Sequence, residues 1–72
     1  MIHVLFLCMH NSARSLMAEC MLNQLGKGRF QAFSAGSDTA PDELPHPLTL
    51  KVLSRVGFDV AGLRCKYWDE FA

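Results

Sequence analysis

The sequence has no excess charge of either sign, because seven Lys and Arg residues balance seven Asp and Glu residues and the formal net charge is +0. Such a chain lacks the basic surface typical of proteins that bind nucleic acids or membrane surfaces. It also lacks a long apolar run: the longest, from Val4 to Met9, is far short of the ~20 residues of a membrane-spanning helix. No basic segment precedes that run, as a signal peptide would require. We therefore expect no nucleic-acid partner and no membrane partner.

Cysteine is also scarce. The chain has three cysteines, an odd number without the spacing of a disulfide framework, which favours a reducing, cytoplasmic location. Apolar residues, in contrast, make up 50% of the chain and include five Phe, a composition that excludes a disordered tail. A length of 72 residues allows one small domain, and at this size folding buries only about 60% of the chain's surface.

The hydrophobic pattern alternates between strand and helix. Ile2 to Leu7 is almost continuously apolar and too short for a helix, which predicts a parallel strand buried on both faces. From Ser12 the apolar residues follow helical spacing up to Gly26, and Phe30 to Ser34 is a second strand candidate. A strand, a helix and a second strand in this order predict an α/β fold with a parallel βαβ unit.

The second half of the chain predicts less regular structure. Ser37 to Pro47 carries all three prolines and predicts a loop, with Pro47 in the first turn of a helix that closes at Gly57. Phe58 to Ala61 predicts a short extended connection. Leu63 to Phe71 predicts a last, weak helix.

The polar loop from Cys8 to Ser15 follows the first strand, at the sheet end where α/β proteins bind ligands. Backbone N–H groups between a strand end and a helix N-terminus form an anion-binding nest, which would lower the pKa of Cys8. Arg14 can grip a tetrahedral oxyanion with two parallel N–H bonds, and the Ser15 hydroxyl can donate to the sulfur. Asn11 tolerates the left-handed backbone conformation that a tight cradle requires.

Other roles for these side chains compete with the functional ones. Cys8 is also compatible with a buried strand-end thiol, but Arg and then Ser at this spacing arise by chance at only about 1% per cysteine, which favours function. Ser15 could instead satisfy the backbone of the first helical turn. We expect His10 to be an exposed loop residue and Cys20 to be a core residue, whereas Cys65 is either reactive or a bystander.

The loop carries a family resemblance. The loop and the helix start that follows it resemble the low-molecular-weight protein tyrosine phosphatase superfamily, and within it the thiol-coupled arsenate reductases. The residues that carry this resemblance are Cys8-Met9-His10-Asn11-Ser12-Ala13-Arg14-Ser15, followed by Met17-Ala18-Glu19. Further agreement follows in order at Ser34-Ala35-Gly36, His46-Pro47, Gly57-Phe58-Asp59-Val60 and Lys66-Tyr67-Trp68-Asp69-Glu70-Phe71. The resemblance implies a phosphotyrosine-phosphatase-I-like three-layer fold. Residues 1–72 would form one partial domain, truncated after about half, since family members are about twice this length and ordinary domains have ~100–150 residues.

The resemblance also implies roles for individual residues. Cys8 would be the nucleophile, Arg14 the oxyanion clamp and Ser15 the stabiliser of the sulfur, while Asn11 and Ser34 would hold the loop by hydrogen bonds. The segment that binds the oxyanion would comprise Met9, His10, Asn11, Ser12, Ala13 and Arg14. Some relatives place a monovalent cation beside the loop, and the matching positions here are Asn11, Glu19 and Ser34. No other metal and no bound cofactor is implied.

Two positions depart from the family pattern: His10 stands where phosphatases usually have Gly, and Ala13 where many have a second cysteine. The sequence also contains no Asp-Pro pair, the family's general-acid motif.

The resemblance therefore predicts an arsenate reductase-like enzyme that uses thioredoxin, glutaredoxin or a low-molecular-weight thiol as reductant. One alternative is a phosphatase that hydrolyses phosphate esters, and another is a catalytically incomplete oxyanion-binding or interaction module. Because one edge of the first strand lacks a neighbour, we also expect the chain to self-associate.

Overall fold

A computed structural model describes residues 1–39 and 43–71. The elements follow in the order β1 (Ile2–Cys8), α1 (Arg14–Leu25), β2 (Phe30–Gly36), α2 (Pro47–Val56) and a short 3₁₀ helix (Trp68–Phe71). This order confirms the predicted α/β class, with β2 reaching two residues further than predicted. Residues 40–42 of the predicted loop lie outside the described part of the chain.

The two strands pair in parallel, as predicted, with Ile2 beside Phe30 and Cys8 beside Gly36. The carboxyl ends of both strands therefore meet at one edge of the sheet, and the loop that leads into α1 begins there. Helix α1 packs against both strands and buries Leu16 and Cys20 completely or almost so, which confirms Cys20 as a core residue.

The expectation that β1 is buried on both faces is wrong for this chain. Leu5 is 44% exposed and Leu7 is 55% exposed, whereas Val4 and Phe6 on the other face are half-buried. The physical reason is that α1, which packs against β1, covers only one face of the strand.

The outer edge of β2 is closed by side-chain and backbone contacts. The amide of Asn23, on α1, donates to the carbonyl oxygen of Ala32 at 3.0 Å and accepts the N–H of Ala32 at 2.7 Å. Further along the same edge, Gly36 donates to the Lys66 carbonyl oxygen at 2.7 Å. In the sheet formed by the described residues, β1 has β2 as its single neighbour.

Helix α2 begins and ends as the sequence predicts. His46 caps its start by accepting the N–H of Leu48 through Nδ1 at 3.1 Å, and Pro47 follows in the first turn. Its end lies at Gly57, which adopts the left-handed conformation with φ 106°, a backbone geometry that glycine reaches without strain.

The predicted last helix is wrong for residues 63–67. Tyr67 instead forms a parallel bridge with Gly36, and the 3₁₀ helix begins only at Trp68. Pairing with β2 requires an extended backbone, and this long-range pairing overrides the weak local helical preference. Within residues 1–39 and 43–71, neither α-helix is long and apolar enough to cross a bilayer.

Candidate active site

Cys8 ends β1 with its thiol surrounded by hydrogen-bond donors. Its Sγ accepts the backbone N–H of Asn11 at 3.0 Å and lies 2.7 Å from Ser15 Oγ. Ser15 is 4% exposed in the first turn of α1, while Cys8 is half-buried. The structure therefore brings the predicted nucleophile and the predicted sulfur stabiliser into direct contact.

The surroundings lower the pKa of Cys8 although burial acts in the opposite direction. Partial burial penalises the thiolate, but the Ser15 hydroxyl and the backbone N–H groups of Asn11, Ser15 and His10 stabilise it more strongly. The pKa of Cys8 consequently lies below the ordinary value of a thiol, so the thiolate forms at lower pH than it would on a free cysteine.

Asn11 organises the loop from its centre. It is fully buried and has φ 58°, and it is the single non-glycine residue with positive φ in the described chain, which confirms the predicted left-handed conformation. Its side-chain nitrogen donates to Ser15 Oγ at 2.9 Å, and its side-chain oxygen accepts the N–H of Lys66 at 2.7 Å. Both ends of the amide are thereby engaged, which fixes its orientation.

The residues that follow β2 support the loop by donating hydrogen bonds to the loop's backbone carbonyl oxygens. Three consecutive residues donate to three consecutive loop carbonyl oxygens: Ser37 N–H to Cys8 at 2.9 Å, Asp38 N–H to Met9 at 2.7 Å and Thr39 Oγ1 to His10 at 2.8 Å. Sequence reasoning missed this support, because main-chain partners leave no compositional signal.

Gly36 permits this close approach. A Cβ atom at this position would lie 2.7 Å from the Met9 carbonyl oxygen and 2.9 Å from the His10 carbonyl carbon, and both are backbone atoms that cannot move aside. The close approach of the loop therefore excludes a side chain at position 36. In the sequence, the Ser34-Ala35-Gly36 motif marks this position.

The start of α2 lies against the other end of the loop. The carbonyl oxygen of Ser12 accepts the N–H of His46 at 2.9 Å and Thr49 Oγ1 at 3.3 Å. Ser12 and Ala13 are both half-buried at this contact. The His46-Pro47 motif therefore places α2 against the loop.

Arg14 is exposed at the first position of α1 and lines a depression of about 370 Å³ together with Cys8, Met9 and Ser15. This volume lies within the ~300–1,000 Å³ range of small-ligand sites. The depression continues along β1 to Phe6. The predicted oxyanion clamp and the predicted nucleophile thus face one open space.

Ser34 is joined to the loop indirectly. Its hydroxyl, fully buried, donates to Glu19 Oε1 at 2.7 Å, and the ammonium of Lys66 lies 3.2 Å from the same oxygen. Lys66 in turn reaches Asn11 through its backbone N–H. The resemblance assigned a hydrogen bond between Ser34 and the loop, whereas the structure places Glu19 and Lys66 between them.

At the three positions implied for a monovalent cation, two of the oxygens already have protein donors in this structure. Glu19 Oε1 accepts from Ser34 and contacts the Lys66 ammonium, and the Asn11 oxygen accepts the Lys66 N–H. A cation needs oxygens that face it, and these oxygens face protein donors instead. Across residues 1–39 and 43–71, no group of three or more His, Cys, Asp or Glu side chains is placed to hold a metal ion.

The other two cysteines differ from Cys8 in the direction of their pKa shifts. Burial raises the pKa of Cys20, with the charges of Glu19 and Asp59 acting in the same direction. Burial and the charge of Glu43 likewise raise the pKa of Cys65. His10 is exposed, as expected, and its ring nitrogen Nδ1 lies 3.1 Å from the Asp38 carbonyl oxygen. All three cysteines are free thiols.

The family model described as low molecular weight phosphotyrosine protein phosphatase matches residues 3–72. The chain belongs to this family. It is 36% identical over 59 residues to the glutaredoxin arsenate reductase of Synechocystis sp., a match that covers 82% of this chain and 43% of the relative.

Two solved structures show the same fold. The thioredoxin-dependent arsenate reductase of Corynebacterium glutamicum superposes with a TM-score of 0.83 at 35% identity, over 92% of this chain and 32% of that one. The low molecular weight protein tyrosine phosphatase from T. tengcongensis superposes with a TM-score of 0.84 at 31% identity, over 93% of this chain and 48% of that one. The chain thus spans less than half the length of each of these three relatives.

Proposed function

We propose that the chain carries the oxyanion-binding and nucleophilic part of an arsenate reductase. The observation that supports this most directly is the Cys8 thiol, held by Asn11 and Ser15 at the mouth of a depression that Arg14 also lines. Donors directed at a strand-end thiol favour both a thiolate and a bound tetrahedral anion. Two of the arsenate reductases among the similar proteins, at 36% and 35% identity, favour arsenate over other oxyanions.

The proposed chemistry has two steps. The Cys8 thiolate attacks the arsenic of arsenate, an As–S bond forms, and one arsenate oxygen leaves as water after protonation. A second thiol then attacks Cys8 Sγ, so that an S–S bond forms while the As–S bond breaks. The electron pair of the broken As–S bond stays on arsenic, arsenite is released, and the two sulfurs are oxidised to a disulfide.

The second thiol is proposed to come from a reductant: thioredoxin, glutaredoxin or a low-molecular-weight thiol. Glutaredoxin and thioredoxin appear in the names of the two similar reductases. No cofactor is proposed beyond this co-substrate. A reducing compartment such as the cytoplasm suits the chemistry, because Cys8 must return to the free thiol before each cycle.

A phosphatase is the second candidate, and the likeness to the T. tengcongensis phosphatase favours it. Cys8 would then attack the phosphorus of the ester, so that an S–P bond forms while the P–O bond breaks and the alcohol leaves after protonation, and water would later hydrolyse the S–P bond. A third candidate is an oxyanion-binding module without turnover. The same cradle would serve all three, since arsenate and phosphate share their charge and tetrahedral shape.

Alkylation of Cys8 with and without anion tests the binding step. Arsenate should slow alkylation of Cys8 and leave alkylation of Cys20 unaffected. In the Cys8→Ser variant, the alkylated peptide that arsenate protects should be missing from the mass spectrum, which identifies it as the Cys8 peptide. Arsenite formation with each class of thiol, measured beside hydrolysis of an aryl phosphate, then separates the candidates. Rapid phosphate-ester hydrolysis without arsenite formation would favour the phosphatase over the arsenate reductase. Protection of Cys8 without either product would favour the binding module.

A further inference from the structure

Lys66 stands at the junction of three elements that build the site. Its backbone N–H donates to Asn11 Oδ1 at 2.7 Å, and its carbonyl oxygen accepts the N–H of Gly36 at 2.7 Å. Its ammonium lies 3.2 Å from Glu19 Oε1. One residue therefore contacts the Cys8 loop, the end of β2 and the middle of α1.

The side chain of Lys66 is buried to an unusual degree for a lysine. The residue is 7% exposed, and the Glu19 side chain that faces it is 15% exposed. Lysine is almost never buried without a partner, because removing an ammonium from water is costly. Here the ammonium has two partners, since it also donates to the Arg64 carbonyl oxygen at 2.8 Å.

The Glu19 carboxylate connects this cation to the sheet. Its Oε1 accepts the buried hydroxyl of Ser34 at 2.7 Å and contacts Lys66 Nζ. Because Glu19 lies one turn beyond Ser15 on α1, the ion pair anchors residues 64–66 to the helix that also carries the Ser15 hydroxyl. Breaking a buried ion pair by removing one partner leaves an uncompensated charge.

We propose that Lys66 is a positioning residue for the nucleophile: its ammonium, bound to Glu19, holds its own backbone N–H on Asn11 and so keeps the Asn11 side-chain amide directed at Ser15, whose hydroxyl contacts Cys8. The ammonium thereby takes the place at Glu19 that the family resemblance gives to a monovalent cation. Lys66 contacts no reacting atom, and it acts through Asn11 and Ser15. The proposal rests on the nucleophilic role proposed above for Cys8.

The pH profile of Cys8 alkylation tests this role, because a merely structural residue would not change it in the folded protein. Lys66→Met keeps an unbranched chain of four heavy atoms and removes the ammonium with its charge. We expect it to lower the Cys8 alkylation rate at mildly acidic pH by about threefold or more, which corresponds to about half a pKa unit. Lys51→Met, at an exposed position of α2, is the matched control and should leave the rate unchanged.

A second variant covers the outcome in which Lys66→Met fails to fold because Glu19 is left as an unpaired buried charge. The double variant Glu19→Gln with Lys66→Met has no unpaired charge, and circular dichroism should show it folded. Its Cys8 profile should remain shifted to higher pH. A folded double variant with the profile of the parent protein would overturn the proposal.

Chemical rescue adds a readout that depends on the cation itself. Lys66→Ala should regain part of its Cys8 reactivity when methylammonium is added, because this ion can donate to Glu19 and to the Arg64 carbonyl oxygen. Tetramethylammonium, which has no N–H, should not restore it, and the parent protein should respond to neither ion. Equal effects of the two ions would contradict the assigned role.

The outcomes also distinguish this proposal from the proposed function. If arsenate protects Cys8 in the parent protein but the Lys66 variants leave its pH profile unchanged, the positioning role alone is wrong. If Cys8 of the parent protein titrates as a free thiol and arsenate gives no protection, the nucleophilic role on which the proposal rests is wrong.

Discussion

The side-chain nitrogen of Asn11 donates to Ser15 Oγ at 2.9 Å, and this bond leaves the Ser15 hydroxyl hydrogen available for a second one. Because the hydroxyl oxygen already accepts a hydrogen from Asn11, the hydroxyl hydrogen of Ser15 is free to point at Cys8 Sγ, 2.7 Å away. A donated hydrogen bond stabilises a thiolate more than a thiol. Asn11 therefore acts on Cys8 Sγ through the Ser15 hydroxyl.

Replacing Ser15 with Ala should raise the pKa of Cys8. Burial already pushes this pKa upwards, and the variant loses the strongest of the hydrogen bonds that pull it down. At a pH below the pKa we expect roughly threefold to tenfold slower alkylation of Cys8, the range of one ordinary hydrogen bond. Peptide mass spectrometry of alkylation time courses at several pH values measures it.

Two internal comparisons accompany that experiment. Ser54→Ala, on the exposed side of α2, should leave the profile unchanged. Cys20 and Cys65, whose pKa values are raised, should react more slowly than Cys8 in every sample at mildly acidic pH. A parent protein in which Cys20 reacts as fast as Cys8 there would show that the loop does not activate its thiol.

Arg14→Lys should weaken oxyanion binding while leaving the fold intact. Lysine keeps the charge but loses the planar fork that makes two parallel bonds, and a lost hydrogen bond to a charged group costs about 1.5–3 kcal/mol. Since Arg14 is exposed, its replacement should not change the urea midpoint of unfolding. The anion concentration that half-protects Cys8 should rise roughly tenfold or more. Arg55→Lys, in the exposed last turn of α2, is the control.

Asn11→Ala should destabilise the protein and also raise the pKa of Cys8. It leaves the buried N–H of Lys66 without its acceptor, at about 1–3 kcal/mol, and it strains the left-handed backbone by about 1–2 kcal/mol. Asn11→Gly loses the same hydrogen bonds without that strain. Urea unfolding should therefore rank the parent above Gly and Gly above Ala. If Ala and Gly prove equally stable, the left-handed conformation at this position contributes nothing.

The chain should self-associate through the open edge of β1. This edge carries apolar residues, and Leu5 and Leu7 are substantially exposed beside it. Light scattering should show dimers or larger species, and Leu5→Lys should reduce them. Leu44→Lys, which removes an equally apolar and more exposed side chain (79%) outside the sheet, should have little effect. A monodisperse monomer of 8.0 kDa would show that the prediction is wrong.

The sequence predicted those features that depend on local chemistry. Asn11 was expected in a left-handed conformation and has it, and Pro47 and Gly57 bound α2 because their backbone preferences act within one turn. Cys8, Arg14 and Ser15 share the site because a strand end and a helix start bring them together.

What the sequence did not show depends on contacts between distant segments. Lys66 lies 55 positions from Asn11 in the chain, and nothing in its neighbours marks it as buried. The extended backbone at Tyr67 exists because Gly36 pairs with it, so a local reading gave a helix. The exposure of Leu5 also depends on distant contacts. The apolar pattern of a strand predicts burial, but it does not show whether another segment packs on each face.

The amide of Asn23 has a consequence for the direction in which the sheet can grow. A new strand joins a sheet where N–H and C=O groups are free, and on β2 those of Ala32 are already taken by the Asn23 side chain. At Ala32 a further strand would have to displace the Asn23 amide, whereas β1 has no second neighbour in the sheet of the described residues, so β1 is the favoured side for a further strand. One side-chain amide on α1 thus protects this part of β2 from pairing and favours β1 as the strand that an enlarged sheet would place in its interior.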